Sequence, residues 1–294
     1  MKYVISTMRP RFLILALVCV FLGTAAAIWT IGAVNPWHVI LAFIGGLAAH
    51  GCVNAINDYT DIRSGLDFRT NRTPFSGGSG TFVEDSSKVN LALWTTIGTA
   101  LISTLIGVYF AVVIGWPILL IGVIGLVVIL TYTQWLNKQP FLCLLSPGFG
   151  FGTLMVLGTF YVLTGSLTWA AVLASFIPFF LVSNLLLLNQ FPDVEADSTA
   201  GRKHYPILIG RKTSAVIYVA FLAATYVAII LGVVFDLTPA WTLIGLLSVV
   251  IAIPTARNVL SNAENLPALL PSLIQNVLLN LLTPLLMGIG FLIA

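Results

Sequence analysis

Between Trp169 and Asp197 the chain reads WAAVLASFIPFFLVSNLLLLNQFPDVEAD. Residues 169–188 contain no Lys, Arg, Asp or Glu, and about 20 such residues suffice for a helix to cross a bilayer core. Three acids then follow in quick succession, Asp193, Glu195 and Asp197. The stretch reads as a membrane helix that delivers carboxylates to the interface. Eight further apolar runs predict eight more spans, at 12–31, 37–56, 91–114, 117–136, 142–163, 214–234, 239–255 and 267–293. The run at 239–255 is the shortest, and Pro254 is expected to end or kink it.

Composition agrees with an all-α, polytopic chain of nine transmembrane helices. Of 294 residues, 59% are hydrophobic and 8% charged, with a mean hydropathy of +1.03. A soluble domain carries about 25% charged residues, so a soluble enzyme, a disordered chain and a disulfide scaffold are excluded. Cys19, Cys52 and Cys143 lie in or beside apolar runs without metal-ligand spacing and read as inert core thiols. The first run, with Ala25-Ala-Ala27 near its end, imitates a signal peptide; its length and the eight runs that follow favour a retained helix.

The bases fix an orientation. Lys2, Arg9 and Arg11 precede the first span, Arg63, Arg69, Arg72 and Lys88 follow the second, and Lys138 follows the fourth. Arg202, Lys203, Arg211 and Lys212 follow the sixth, and Arg257 follows the eighth. The intervening links have none, so the positive-inside rule puts the N-terminus and the long loops in the cytoplasm.

Nine of the ten acids lie on that same side, Asp236 being the exception, and six form two clusters. Asn54, Asp58 and Asp61 follow the second span at i, i+4 and i+7; Asn189, Asp193 and Asp197 follow the sixth at i, i+4 and i+8. If each helix continues past the membrane edge, its acids stack on one face and repel unless a cation binds. Two such faces opposed across a bundle supply oxygen-only ligands suited to Mg²⁺. Asn-x-x-x-Asp recurs at 54/58 and 189/193, four spans apart, which fits two four-helix pseudo-repeats plus a ninth helix. Each cluster precedes a basic loop, the first carrying Phe75-Ser-Gly-Gly-Ser-Gly80, whose backbone N–H groups can converge on an anion. Carboxylates for Mg²⁺ beside bases for phosphate oxygens suggest a diphosphate bound through metal bridges.

These residues resemble the UbiA superfamily of intramembrane prenyltransferases. The first motif of that family, Asn-Asp-x-x-Asp with a further Asp, is similar to Asn57-Asp58-Tyr59-Thr60-Asp61 with Asp67; the second, Asp-x-x-x-Asp, to Asp193-Val-Glu-Ala-Asp197. Arg9-Pro-Arg11, Ser64-Gly-Leu-Asp67, Pro74-Phe-Ser-Gly-Gly-Ser-Gly80 and Gly158-Thr-Phe-Tyr161 resemble the branch that prenylates 1,4-dihydroxy-2-naphthoate for menaquinone. Two stretches depart from that branch. Leu142-Cys-Leu-Leu-Ser-Pro147 lacks a Gly-Glu pair, and Gly201-Arg-Lys-His-Tyr205 replaces a Gly-Lys-Arg-Thr run.

The resemblance covers nearly the whole chain and implies one domain over 1–294, with Asp-rich loops at 57–90 and 189–213. It implies an enzyme that moves a polyprenyl group from an allylic diphosphate to an aromatic acceptor, with Mg²⁺ as cofactor. Asp58, Asp61, Asp67, Asp193 and Asp197 are the expected metal ligands. Arg63, Arg72, Arg202 and Lys203 are expected to contact phosphate, with Asn54, Asn57, Asn189 and Ser76 in support. Tyr59 is expected to offer its π face to the allylic cation, as are Tyr132, Phe149 and Tyr161. His50 lies at i−4 from Asn54 and is a candidate for the same cavity. The expected setting is a prokaryotic inner (plasma) membrane with the site facing the cytoplasm. The expected partners are the two substrates and membrane lipid, and nothing points to nucleic acid or an obligate protein partner.

The acceptor stays open among hydroxynaphthoate, 4-hydroxybenzoate, homogentisate, haem and geranylgeranylglyceryl phosphate. A CDP-alcohol phosphatidyltransferase also uses Asp-x-x-x-Asp, but its companion Asp-Gly and Ala-Arg elements are absent before Asp193. A cation-coupled transporter would place its charges near the midplane rather than at span ends.

Overall fold

The structure is a computed structural model that describes residues 2–69 and 78–294. Arg72 and Ser76 therefore lie outside the described residues. The described chain is helical throughout, without a strand. The long elements are α1 (Pro10–Ile31), α2 (Pro36–Arg63), α3 (Asn90–Val113), α4 (Pro117–Tyr132) and α5 (Pro140–Thr164). They continue as α6 (Trp169–Thr199), α7 (Gly210–Val234), α8 (Ala240–Ser261) and α9 (Leu266–Leu292). Pro opens α1, α2, α4 and α5, at a position where its missing N–H has no intrahelical acceptor to lose.

Eight of these elements are long and apolar enough to cross a membrane, and α4 is shorter, ending at Tyr132. The chain is thus an integral membrane protein. Large apolar side chains such as Val112, Val123, Leu105 and Val250 face outward, where lipid rather than water suits them. Of the two effects expected of Pro254, ending the span is not seen, because α8 runs on past it. The element starts as a 3-10 helix over Ala240–Ser248 and continues as an α-helix through Pro254 to Ser261. The 3-10 section rises about 2.0 Å per residue, which lengthens the span.

Helices α2 and α6 run unbroken through their acid-rich ends, with Pro192 inside α6. Their 28 and 31 residues correspond to roughly 42 and 46 Å at 1.5 Å per residue. Both exceed a hydrocarbon core of about 30 Å, so each carries its carboxylates out to the interface on a rigid helix.

Helix α1 is central. Ala25, Ala26 and Ala27 are fully buried, so the triplet that imitates a cleavage site is a packing surface. Helix α5 contains Pro147, and the turns after it widen into a π-helix over Phe149–Val156. Proline removes a donor and crowds the preceding turn, which accounts for the distortion. Gly148 and Gly152, four residues apart, bring this segment against the backbone of α6 at Phe179; a Cβ on either would collide with main-chain atoms of Phe179. Small residues at this spacing let membrane helices approach closely.

Because backbone cannot swing aside as a side chain can, Gly152→Ala is expected to cost the upper end of about 1–3 kcal/mol. A thermal melt in detergent measures it. Gly98→Ala, where a Cβ meets nothing within 4 Å, should leave the midpoint unchanged.

Candidate active site

A cavity of about 460 Å³ opens among α1 to α6 and α9. Along α2 its wall extends from Ala42 to Asp61, roughly 28 Å at 1.5 Å per residue. One end is polar, with Asn54, Asn57, Asp61, Asn189, Asp193 and Asp197. The rest is apolar, with Val20, Phe110, Ile118, Ile121, Val162 and several glycines. The two acid-bearing helix ends therefore meet at one end of one cavity.

Arg202 joins them. Its Nη2 donates to Asp61 Oδ1 at 2.7 Å and its Nη1 to Asp197 Oδ1 at 3.0 Å. The second oxygen of Asp197 pairs with His204 Nε2 at 3.0 Å. Burial works against the Arg202 charge, yet Asp61 and Asp197 more than restore it and raise its pKa further. Asp58 is fully buried and carries its own arginine: Arg9 Nη2 donates to Oδ1 at 2.6 Å and Thr7 Oγ1 to Oδ2 at 2.9 Å, with Ser79 Oγ also donating. Arg9 reaches it from a left-handed backbone at φ 52° just before Pro10. Asp67 is buried against Gly78, whose φ of +75° and bare Cα admit the carboxylate; a Cβ there would sit 2.8 Å from Asp67 Oδ1.

The amides support this end. Asn54 Nδ2 donates to Met8 O at 2.9 Å, and Asn57 Oδ1 accepts from Thr133 Oγ1 at 3.3 Å. Asn189 Oδ1 is buried on the cavity wall with no hydrogen-bond partner. An orphaned buried acceptor beside carboxylates is what a site for a cation or a donor-rich ligand would leave.

Several expected residues lie elsewhere. Tyr59 does not line the cavity: it packs beside the Ile62, Phe82, Val89 and Ala92 cluster, with the Arg63 guanidinium 5.7 Å over its ring. Asp58 is not on the wall either, buried instead against Arg9 and Thr7, while Asn54, Asn57 and Asp61 of the same helix line the cavity. Arg63 and Lys203 are exposed and also lie off the wall. Tyr161 and Phe149 are not on the wall, whereas Tyr132 is. Among the described residues no group of three or more His, Cys, Asp or Glu is gathered to hold an ion. Arg202 stands between Asp61 and Asp197, and the donor set is nonetheless all oxygen, which suits Mg²⁺.

Sequence reasoning assigned no role to Arg9, Arg11, His204 or Gln190, all on the wall. Arg9 and Arg11 entered as topology signals and within a segment that resembles the family, without a site role; the positive-inside rule, which groups them with both acid clusters, was the available clue.

Residues 16–270 match the profile of the UbiA prenyltransferase family. The chain belongs to that family. It is 27% identical over 257 residues to the 1,4-dihydroxy-2-naphthoate octaprenyltransferase of Bacillus subtilis, covering 86% of this chain and 81% of that one. It is also 27% identical over 218 residues to the digeranylgeranylglyceryl phosphate synthase of Methanobrevibacter smithii, covering 74% and 73%. The fold matches a UbiA homolog from Aeropyrum pernix with a TM-score of 0.74 at 19% identity, over 97% of this chain and 98% of that one. It matches a UbiA homolog from Archaeoglobus fulgidus bound to DMAPP and Mg²⁺ with a TM-score of 0.57 at 15% identity, over the full length of both. Family membership makes this UbiA chain a prenyl-transferring enzyme.

Removing Arg202 leaves Asp61 and Asp197 buried without their shared cation. Loss of one partner from a buried pair costs about 3–5 kcal/mol. Arg202→Ala is therefore expected to lower the melting midpoint clearly, while Lys212→Ala, which breaks the exposed pair with Glu264, should shift it little.

Proposed function

We propose that this enzyme transfers a polyprenyl group from an allylic polyprenyl diphosphate to an aromatic acceptor, 1,4-dihydroxy-2-naphthoate, in menaquinone-type quinone synthesis. The single observation that carries the reading is the joining of Asp61 and Asp197 through Arg202 at the polar end of a long apolar cavity. A diphosphate with a polyprenyl tail has that same division between a charged head and an apolar chain. The acceptor rests on the Bacillus subtilis relative, whose name specifies it. The Methanobrevibacter smithii relative supports a second acceptor, a geranylgeranylglyceryl phosphate.

In this reading Asp58, Asp61, Asp193 and Asp197 hold Mg²⁺, with Asp67 behind them and Asn54, Asn57 and Asn189 in support. When bound, the metal stabilises the charge that develops on the departing diphosphate. Arg9 and Arg202 here neutralise carboxylates that a divalent cation would otherwise neutralise. The Arg202 guanidinium, a planar fork of donors at this end of the cavity, is suited to bidentate recognition of phosphate oxygens. Lys203, Arg63, Arg72 and Ser76 remain proposed contacts of the diphosphate. The apolar wall keeps water from the allylic cation. Tyr132, which lines the cavity, replaces Tyr59 as the aromatic nearest that role.

We also propose that α4 crosses the membrane, giving nine spans, two four-helix pseudo-repeats and a ninth helix, with the N-terminus and the site cytoplasmic in a prokaryotic inner membrane. The alternating placement of all 13 Lys and Arg supports this.

Purified protein, Mg²⁺, an allylic polyprenyl diphosphate and a panel of acceptors test the function. Asp61→Ala and Asp193→Ala are each expected to lose about 100-fold or more in turnover, and chelation of divalent ions should abolish it. Full activity in either variant would sink the metal assignment. Topology is testable separately, because Cys19, Cys52 and Cys143 are all buried and give little background labelling. In intact cells an impermeant maleimide should label Asp236→Cys and spare Lys138→Cys and Arg257→Cys.

A further inference from the structure

His50 is an imidazole without a hydrogen-bonded role in the fold. It sits on α2 one turn before Asn54, is 5% exposed, and lines the cavity. Its Nδ1 is buried with no hydrogen-bond partner. A polar group placed this way costs stability unless something satisfies it, and an aliphatic residue would fill the same space without that cost.

Its neighbour is a second, independent observation. Phe151 lies in the π-helical section of α5, also on the cavity wall. The two rings are 4.6 Å apart between centroids and 79° between planes, an edge-to-face pair. Most helices carry no π turn, and such segments concentrate at functional sites. Here the widened turns follow Pro147 and accompany the tight seating of Gly148 and Gly152 on α6. Phe151 is held against His50 by that geometry rather than by a flexible loop.

The position is also telling. His50 stands 11 residues before Asp61, roughly 16 Å along α2, and only one turn beyond Asn54, the last amide of the polar end. The wall residues about it include the uncharged Gly46, Ser103, Phe151, Met155 and Thr159. The cations of the wall are Arg9 and Arg202, each already paired with carboxylates, and Arg11. A flat aromatic ring bearing a hydroxyl fits the aromatic edge of Phe151 and the free imidazole nitrogen.

We propose that His50 and Phe151 form the acceptor-recognition site, with His50 hydrogen-bonding a hydroxyl of an aromatic acceptor and Phe151 packing against its ring. The inference rests on the prenyltransferase reading above and narrows its acceptor to hydroxy-aromatic compounds. Both residues bind and select the acceptor; neither is needed to hold the diphosphate.

The test uses the full-length protein in detergent with a polyprenyl diphosphate donor. The acceptors are 1,4-dihydroxy-2-naphthoate, 4-hydroxybenzoate and geranylgeranylglyceryl phosphate. His50→Phe keeps a ring against Phe151 and removes the hydrogen bond. It is expected to raise the KM for the accepted aromatic compound about tenfold, leaving donor KM unchanged and the melting midpoint no lower. His50→Asn, which retains a donor and an acceptor, should recover part of that loss; it also carries the test if His50→Phe does not fold. Phe151→Leu should raise acceptor KM as well.

An unshifted acceptor KM in His50→Phe, or acceptor and donor KM rising together, overturns the assignment. Efficient wild-type transfer to geranylgeranylglyceryl phosphate and not to the aromatic acceptors also overturns it, while the prenyltransferase reading stands. Absence of transfer to any acceptor by the wild type overturns that reading and the assignment together.

Discussion

The structure depends on how a mostly apolar chain accommodates buried carboxylates. Asp58, Asp61 and Asp197 are each less than one-tenth exposed, and a charge taken from water needs a close partner to persist. Arg9 and Arg202 provide it, one for each acid-bearing helix end, and Arg202 spans both. That one guanidinium therefore does two things at once. It compensates charge, and it fixes the distance between α2 and α6, hence the width of the cavity's polar end. His204 holds the far side of Asp197, so the carboxylate is anchored from two directions.

Much of this was legible in the sequence because membrane helices obey strict rules. The spans, the two acid ladders and their meeting at one membrane face follow from apolar length and from i, i+4 spacing. The unbroken course of α2 through Asp61 and of α6 through Pro192 was the assumption on which the ladders rested, and the helices satisfy it. What spacing cannot give is rotation. Tyr59 lies within the motif yet turns toward Phe82, because adjacent residues on a helix point about 100° apart. Nor does composition separate a topology-setting arginine from a site arginine: Arg9 and Arg202 are both, and only their partners distinguish them.

The other illegible feature is the distortion of α5. The sequence reads there as one plain span over 142–163, and Pro147 with the glycines after it carried no expectation. In the fold the same residues stay helical, widen by one bond per turn, and press backbone to backbone against α6. The sequence Pro147-Gly-Phe-Gly-Phe-Gly152 thereby alternates contact surface and cavity wall. Gly148 and Gly152 seat on the neighbour, while Gly150 and Phe151 face the cavity.

The cations of the site come from outside the spans. Arg9 precedes α1, and Arg202 and His204 follow α6. The polar end of the cavity is therefore completed by the segments that flank the helices: the N-terminal segment brings Arg9 to Asp58, and the α6–α7 link brings Arg202 and His204 to Asp61 and Asp197.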